Sequence, residues 1–166
     1  MADDVVINKA AGIERCLRRI QDEYAGNKQN LIENQTKQDA VIFNLQRACE
    51  TAIDLAMYVV STRKLGVPQD SRDAYALLQA GGLLPADLAL RMQRMVGFRN
   101  VAIHEYTHLN LDVVHSIITT QLDDFRVFSL DHCESVHVGR RGRGYWWVLN
   151  DARDTFLISV TLLLSD

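Results

Sequence analysis

Apolar residues recur at every third or fourth position in the first part of the chain, which is the repeat of a helix with one buried face. From Asp4 to about Tyr24 this repeat consists of Val6, Ala10, Ile13, Leu17, Ile20 and Tyr24. The polar, Asn-rich stretch from Gly26 to Gln35 then predicts a connection. The fold is therefore expected to start with one helix and a loop.

The longest periodic segment follows and predicts the central core helix. Thr36, with Asp39 three residues later, resembles a capping box and marks the expected start of this helix. Gly66 and Pro68 are expected to end it. Its wide apolar stripe is formed by Val41, Ile42, Leu45, Ala48, Cys49, Ala52, Ile53, Ala56 and Val59.

Two helices are predicted next, each from a start signal. Ser71 is the expected N-cap of a short helix that runs through Leu78 and is closed by the pair Gly81-Gly82. Pro85 suits the first position of the following helix, because its missing N–H needs no partner there. That helix is expected to reach about His104.

A last helix completes the predicted bundle. Asn110 is its expected N-cap, and its apolar positions are Val113, Ile117, Leu122 and Phe125. No strand pattern precedes Phe128. About five helices of this kind predict an all-α antiparallel bundle over residues 1–128.

The chain changes character after Phe128, so residues 129–166 are treated as a separate C-terminal extension. Residues 139–144 are Gly-Arg-Arg-Gly-Arg-Gly and are followed by Tyr145, Trp146 and Trp147. Such a cluster can bind single-stranded nucleic acid, but a turn before an aromatic segment packed on the bundle or on a partner is the simpler interpretation. The end of the extension, residues 156–164, is strongly aliphatic.

Composition narrows the class of protein. The chain has 166 residues, of which 48% are hydrophobic and 23% charged, as in one globular domain. A net charge of -3 argues against nonspecific coating of nucleic acid but allows a local basic cleft. Cys16, Cys49 and Cys133 form no Cys-x-x-Cys pair, which is typical of buried thiols in a reducing compartment. The acidic N-terminus and the absence of a run of roughly 20 apolar residues predict a cytoplasmic protein without a membrane span.

The run from Gly97 to Tyr106 contains the residue types needed to cleave RNA without a metal. His104 can move the proton of a 2′-hydroxyl, and Arg99 can hold the phosphate as charge develops on it. On a helix, Arg99 and His104 lie about 140° apart, whereas Asn100 and His104 share a face. Tyr106 could orient either group. On spacing alone, however, such residues more often cap a helix end or join surface ion pairs.

The same residues also fit a zinc-binding motif. His104-Glu105-Tyr106-Thr107-His108 matches H-E-x-x-H, in which two His bind zinc and the Glu acts as a base. A third ligand is required, and His115 arrives one position late, whereas Glu134 lies in a part of the chain with no predicted structure. The helix should also continue through the second His, although Thr107 and Asn110 indicate a break. The zinc motif is therefore the weaker interpretation.

The run Arg99-Asn100-x-x-x-His104-x-Tyr106 resembles the R-x4-H-x-Y signature of HepT toxins, which belong to the HEPN ribonuclease superfamily. The resemblance spans about residues 3–128. It also includes the stretches 4–9, 44–50, 52–56, 65–72, 95–98 and 109–114. His108 is not part of this signature, and the extension from residue 129 has no counterpart in it.

The resemblance implies a helical homodimer in which the Arg and His of both protomers share a cleft. It implies metal-independent cleavage of RNA, without a cofactor, with Arg99 and His104 as the catalytic pair and Asn100 and Tyr106 beside them. It further implies a type VII-like toxin–antitoxin system with an MntA-type nucleotidyltransferase as antitoxin, which would adenylylate Tyr106. A noncatalytic helical module that only complexes with a nucleotidyltransferase is the alternative of a different class.

Overall fold

The computed structural model describes residues 2–105 and 109–137, and within them it contains seven helices and no strand. They are α1 (Ala2–Tyr24), α2 (Gln29–Ile32), α3 (Gln35–Thr62), α4 (Ser71–Ala80), α5 (Ala86–His104), α6 (Leu111–Thr120) and α7 (Leu122–His137). The predicted all-α fold is thus confirmed. None of the helices in these residues is long and apolar enough to span a membrane.

Four long helices form the core. α1 packs against α3 and α7, and α5 packs against the same two helices. Every apolar residue of the predicted α1 stripe is buried, as are all those of the α3 stripe except the partly buried Ile53. α4 contacts α3 and α5, and α6 contacts α7 and α2. The free thiols of Cys16 and Cys49 are buried, as predicted.

The start of α3 differs from the prediction. Asn34, not Thr36, is the N-cap, and its side-chain oxygen accepts a hydrogen bond from the Lys37 N–H at 3.0 Å. The short helix α2 occupies part of the stretch predicted to be a connection. Leu31 is fully buried there, so burial of one apolar side chain stabilises a turn whose polar composition predicts a loop.

The end of α3 also comes earlier than Gly66 and Pro68 predict. The helix ends at Thr62 because Lys64 adopts a left-handed conformation with φ 55°. The N–H of Leu65 then donates to the Val60 carbonyl at 3.0 Å, and that of Lys64 to the Ser61 carbonyl at 3.2 Å. This hydrogen-bond pattern is a Schellman motif with lysine at the position that glycine usually takes.

The caps of the next two helices are shifted by one residue from the prediction. Asp70, not Ser71, caps α4, accepting from the N–H groups of Arg72 and Asp73 at 2.8 Å each. α4 closes at the pair Gly81-Gly82 as predicted, with Gly82 at φ 71°. Pro85 is the N-cap of α5 rather than its first residue.

The predicted last helix is divided in two at Gln121. Asn110 caps α6 as predicted, but the hydroxyls of Thr119 and Thr120 donate to carbonyls of the preceding turn. Such bonds compete with the helical ladder, and α7 begins at Leu122. α7 continues past residue 128 to His137, and the division of the chain at residue 128 stays a prediction. Residues 138–166, with the aromatic and aliphatic segments of the extension, lie outside the described residues.

Candidate active site

The last turns of α5 carry the motif residues. Leu88, Met92, Met95, Phe98 and Ala102 bury one face of this helix in the core. The helix ends at His104, and the N–H of Glu105 donates to the Val101 carbonyl at 2.8 Å. Asn100 and His104, four residues apart, are both exposed on the side of α5 away from the core.

Arg99 points toward α3, where its guanidinium meets a carboxylate. Its Nη2 lies 3.3 Å from Oε1 of Glu50, in an ion pair whose side chains are 33% and 41% exposed. Gln46, one turn earlier on α3, donates to the same Glu50 oxygen at 3.4 Å. The guanidinium is therefore held in a defined orientation at the open edge between α3 and α5.

Arg99 and Asn100 are brought together directly. Nη1 of Arg99 donates to the side-chain oxygen of Asn100 at 3.2 Å. Nε of Arg99 is buried and has no hydrogen-bond partner within the described chain. The outer nitrogens of the guanidinium thus reach the open edge while its inner nitrogen stays under the protein surface.

Cys49, next to Glu50 in the chain, is not a candidate nucleophile for the site. Its thiol is buried, and burial, reinforced by the Glu50 carboxylate and opposed by Arg99, raises its pKa far above the usual range. Burial likewise raises the pKa of the Tyr75 hydroxyl. Both groups stay protonated near neutral pH, so neither is a nucleophile or a base for the site.

The imidazole of His104 is exposed at the helix end and makes no hydrogen bond within residues 2–105 and 109–137. The structure thus leaves His104 without direct contact to Arg99, which is consistent with their separation around the helix. Tyr106 and His108, the remaining residues of the two candidate motifs, lie outside the described residues. Among the residues that are described, no three His, Cys, Asp or Glu side chains converge as a metal site.

The outward face of α5 next to the motif forms a regular stripe. Its members are Leu90, Arg94, Gly97, Val101 and His104, with alternating spacings of four and three residues. Leu90 is 50% and Val101 43% exposed. A Cβ on Gly97 would lie 3.0 Å from Nη2 of Arg72, so the guanidinium of Arg72 lies over this glycine.

Sequence reasoning assigned no role to Glu50 and Gln46, although the resemblance includes the stretch that contains them. The available signal was their position: two polar residues four apart on a helix with a wide buried stripe. That pattern predicts an exposed pair on α3. It does not predict that Arg99, 49 positions further along the chain, meets this pair.

Comparison with known proteins identifies the class to which this fold and this arrangement belong. The model of the HepT-like family, which is described as ribonuclease HepT-like, matches residues 13–131. The chain is also 44% identical over 126 residues to an mRNA nuclease HepT of Shewanella oneidensis, covering 76% of this chain and 94% of that protein. The chain therefore belongs to the HepT-like ribonuclease family.

Solved structures agree with this assignment. One contains a tri-AMPylated HEPN toxin of Shewanella oneidensis in complex with an MNT antitoxin; it superposes with a TM-score of 0.74 at 43% identity, over 78% of this chain and 96% of that one. A second is a toxin–antitoxin complex with AMP-PNP, with a TM-score of 0.74 at 42% identity, over 78% of this chain and 97% of that one. The resemblance to HepT toxins of the HEPN superfamily is thus confirmed.

Proposed function

We propose that this chain is the toxin of a cytoplasmic HepT/MntA-type toxin–antitoxin system and cleaves RNA without a metal ion. The observation that carries the proposal is the site at the end of α5, where Glu50 orients the Arg99 guanidinium and His104 is exposed five residues further along the same helix. The support from outside the chain is its 44% identity to an mRNA nuclease HepT.

The residues have distinct tasks in this reaction. His104 takes the proton from a 2′-hydroxyl, whose oxygen attacks the adjacent phosphorus, and the 5′-oxygen leaves with a proton from an acid. The products are a 2′,3′-cyclic phosphate and a 5′-hydroxyl. Arg99 donates hydrogen bonds to the phosphate oxygens, and Glu50 and Asn100 keep the guanidinium in place. Single-stranded RNA is the substrate because its backbone can adopt the required geometry.

We infer that the acid is the His104 imidazole of a second copy of the chain in a homodimer. The α5 stripe has the alternating spacing of a helix–helix seam and leaves Leu90 and Val101 exposed in one chain. The stripe ends at His104, so two copies of α5 that cross near this end bring both imidazoles into one cleft. We expect Val101→Asp to yield monomers in light scattering and to lose cleavage although His104 is intact. A dimeric, fully active variant would contradict this assembly.

The antitoxin is an MntA-type nucleotidyltransferase that adenylylates Tyr106. The solved relatives include a tri-AMPylated toxin bound to an MNT antitoxin, and Tyr106 follows His104 by two residues. An adenylate there would add bulk and negative charge where an RNA phosphate binds. Incubation with such an enzyme and ATP should add AMP to the wild type and to Tyr58→Phe, but not to Tyr106→Phe, and mass spectrometry detects the added mass. Modification of Tyr106→Phe equal to the wild type would contradict the assignment.

The deciding experiment is RNA cleavage by the purified protein in excess EDTA, with the product ends mapped. We expect the wild type to cleave and to leave a cyclic phosphate, and His104→Ala to be inactive. Glu105→Gln is the matched control, because Glu105 is an exposed neighbour of His104 that the metal-independent reaction does not use. Cleavage that is lost in EDTA and in Glu105→Gln would support the zinc motif instead. An inactive wild type would favour the noncatalytic module.

A further inference from the structure

Phe43 on α3 stands out among the aromatic residues of the described chain. Phe98, Phe125, Phe128, Tyr24 and Tyr75 are buried in the core. Phe43 is 56% exposed and is the one aromatic residue among the exposed large hydrophobic residues that the structure describes. A solvated ring lacks the free energy that burial would provide, so this exposed ring is a candidate contact for a ligand.

A cation lies over one face of this ring. The guanidinium carbon of Arg47 is 5.7 Å from the Phe43 ring centroid, within the range of a cation–π contact. Arg47 is exposed and makes no ion pair within the described part of the chain. One face of the ring is therefore covered by a positive charge, and the exposed remainder of the ring can accept another planar group.

The Phe43–Arg47 pair lies on the same face of α3 as Glu50. Phe43, Arg47 and Glu50 follow one another at four and three residues, so they share one side of the helix. Glu50 is the residue that binds Arg99. The exposed ring and its cation thus continue the surface that starts at the candidate active site.

The pair is also level with His104 along the bundle. Leu65, after the end of α3, approaches the turn at Gly81 before α5, so the two helices run in opposite directions. From the Glu50–Arg99 contact, Phe43 lies seven residues back along α3, or about 10 Å, and His104 five residues on along α5, or about 7.5 Å. Both displacements point the same way, so Phe43 and His104 lie at nearly the same position along the bundle axis.

We propose that Phe43 and Arg47 form a nucleobase-binding subsite for single-stranded RNA beside the Arg99–His104 centre. In this subsite a base next to the scissile phosphate stacks on the open part of the Phe43 ring, and Arg47 binds the phosphate of that nucleotide. An aromatic ring stacks with any base, and arginine adds charge without sequence preference. The proposal rests on the proposed ribonuclease function, and it explains how a chain of net charge -3 binds RNA locally.

The test is RNA binding in a His104→Ala background, where the RNA stays intact. A fluorescein-labelled single-stranded RNA is titrated with full-length protein in fluorescence anisotropy at several salt concentrations. Adding Phe43→Ala should weaken binding about tenfold without changing the salt slope, and Phe43→Trp should restore it. Arg47→Ala should reduce the slope of log Kd against log salt by the contribution of about one phosphate contact. Val127→Ala, an exposed residue on α7, is the control and should bind like the parent.

Replacing single bases by abasic sites gives a second readout. One abasic position should weaken binding when Phe43 is present and have no effect in Phe43→Ala, because the lost stack is already absent. The subsite is refuted if Phe43→Ala binds RNA like the parent. It is also refuted if that variant changes the oligomeric state in light scattering or loses antitoxin binding, since the ring would then contact a protein.

The same variants separate this proposal from the proposed function. If the otherwise wild-type chain cleaves RNA and Phe43→Ala cleaves it with the same KM and kcat, the subsite alone is wrong. If the wild type neither cleaves RNA nor, as His104→Ala, binds it, both proposals are wrong. A raised KM with little change in kcat is the result expected from a residue that binds RNA without entering the chemistry.

Discussion

Replacing Arg99 by methionine separates the proposed catalytic contribution of this side chain from its structural contribution. Methionine keeps much of the apolar stem and removes the guanidinium. The ion pair with Glu50 is partly exposed on both sides, with an N–O distance of 3.3 Å, and pairs of this kind contribute about 0.2–1 kcal/mol. Removal of the buried Nε, which has no acceptor in the described chain, offsets part of that loss. We therefore expect the free energy of unfolding to fall by less than about 1 kcal/mol.

The effect on catalysis should be much larger. A positioned donor that stabilises developing charge contributes about 2.7–4 kcal/mol to the transition state, which corresponds to a loss of roughly 10²–10³ in kcat. Arg99→Lys should not rescue the rate fully, because a lysine ammonium cannot form the planar, two-pronged contact with a phosphate.

Urea unfolding followed by circular dichroism and single-turnover RNA cleavage measure the two effects on the same preparations. Arg19→Met is the matched control, since Arg19 forms an exposed ion pair with Glu23 at 2.9 Å on α1. It should match Arg99→Met in stability and keep wild-type activity. The reasoning is refuted if Arg99→Met cleaves within tenfold of the wild type, or if it loses more than about 3 kcal/mol of stability.

Three further predictions concern the bundle. Glu14→Gln should lower the free energy of unfolding by about 1–3 kcal/mol in urea, because it removes the carboxylate at 3.0 Å from the largely buried Arg126, whose ion pair with Asp123 at 2.8 Å remains; a loss under 0.5 kcal/mol would contradict this. Burial lowers the pKa of His132, so the unfolded chain binds its proton first and stability should fall as the pH drops below roughly 6.5. His132→Gln should lack that part of the pH dependence, and parallel pH profiles would disprove the cause. Asp70→Ala should lower the free energy of unfolding by about 1 kcal/mol through loss of the α4 N-cap, whereas Asp70→Asn should retain most of it.

The existence of the main helices and their buried faces follows from local sequence signals. All six residues of the apolar repeat of α1 are buried, since burial on a helix depends on a period that the sequence displays directly; Glu14 and Cys16 are buried as well but do not belong to the repeat. Asn110 and the pair Gly81-Gly82 are likewise correct as helix boundaries, because caps are made within a few residues of chain.

Helix boundaries that depend on competition between neighbours were predicted less well. The Schellman motif at Lys64 prevails over the glycine two residues later, and the Thr119–Thr120 hydroxyls divide a helix that the apolar pattern continues. The burial of Leu31 orders α2 within a polar stretch. In each case two local conformations are close in free energy, and packing against the rest of the bundle determines which one forms. The local sequence pattern carries no information about that packing.

The candidate site divides in the same way. Arg99, Asn100 and His104 are recognisable from the sequence because the motif is a short run on one helix, where spacing alone defines their relative positions. The contact of Arg99 with Glu50 and the height of Phe43 relative to His104 depend on the register of α3 against α5. That register results from the interlocking of buried side chains from both helices, which only the tertiary structure determines.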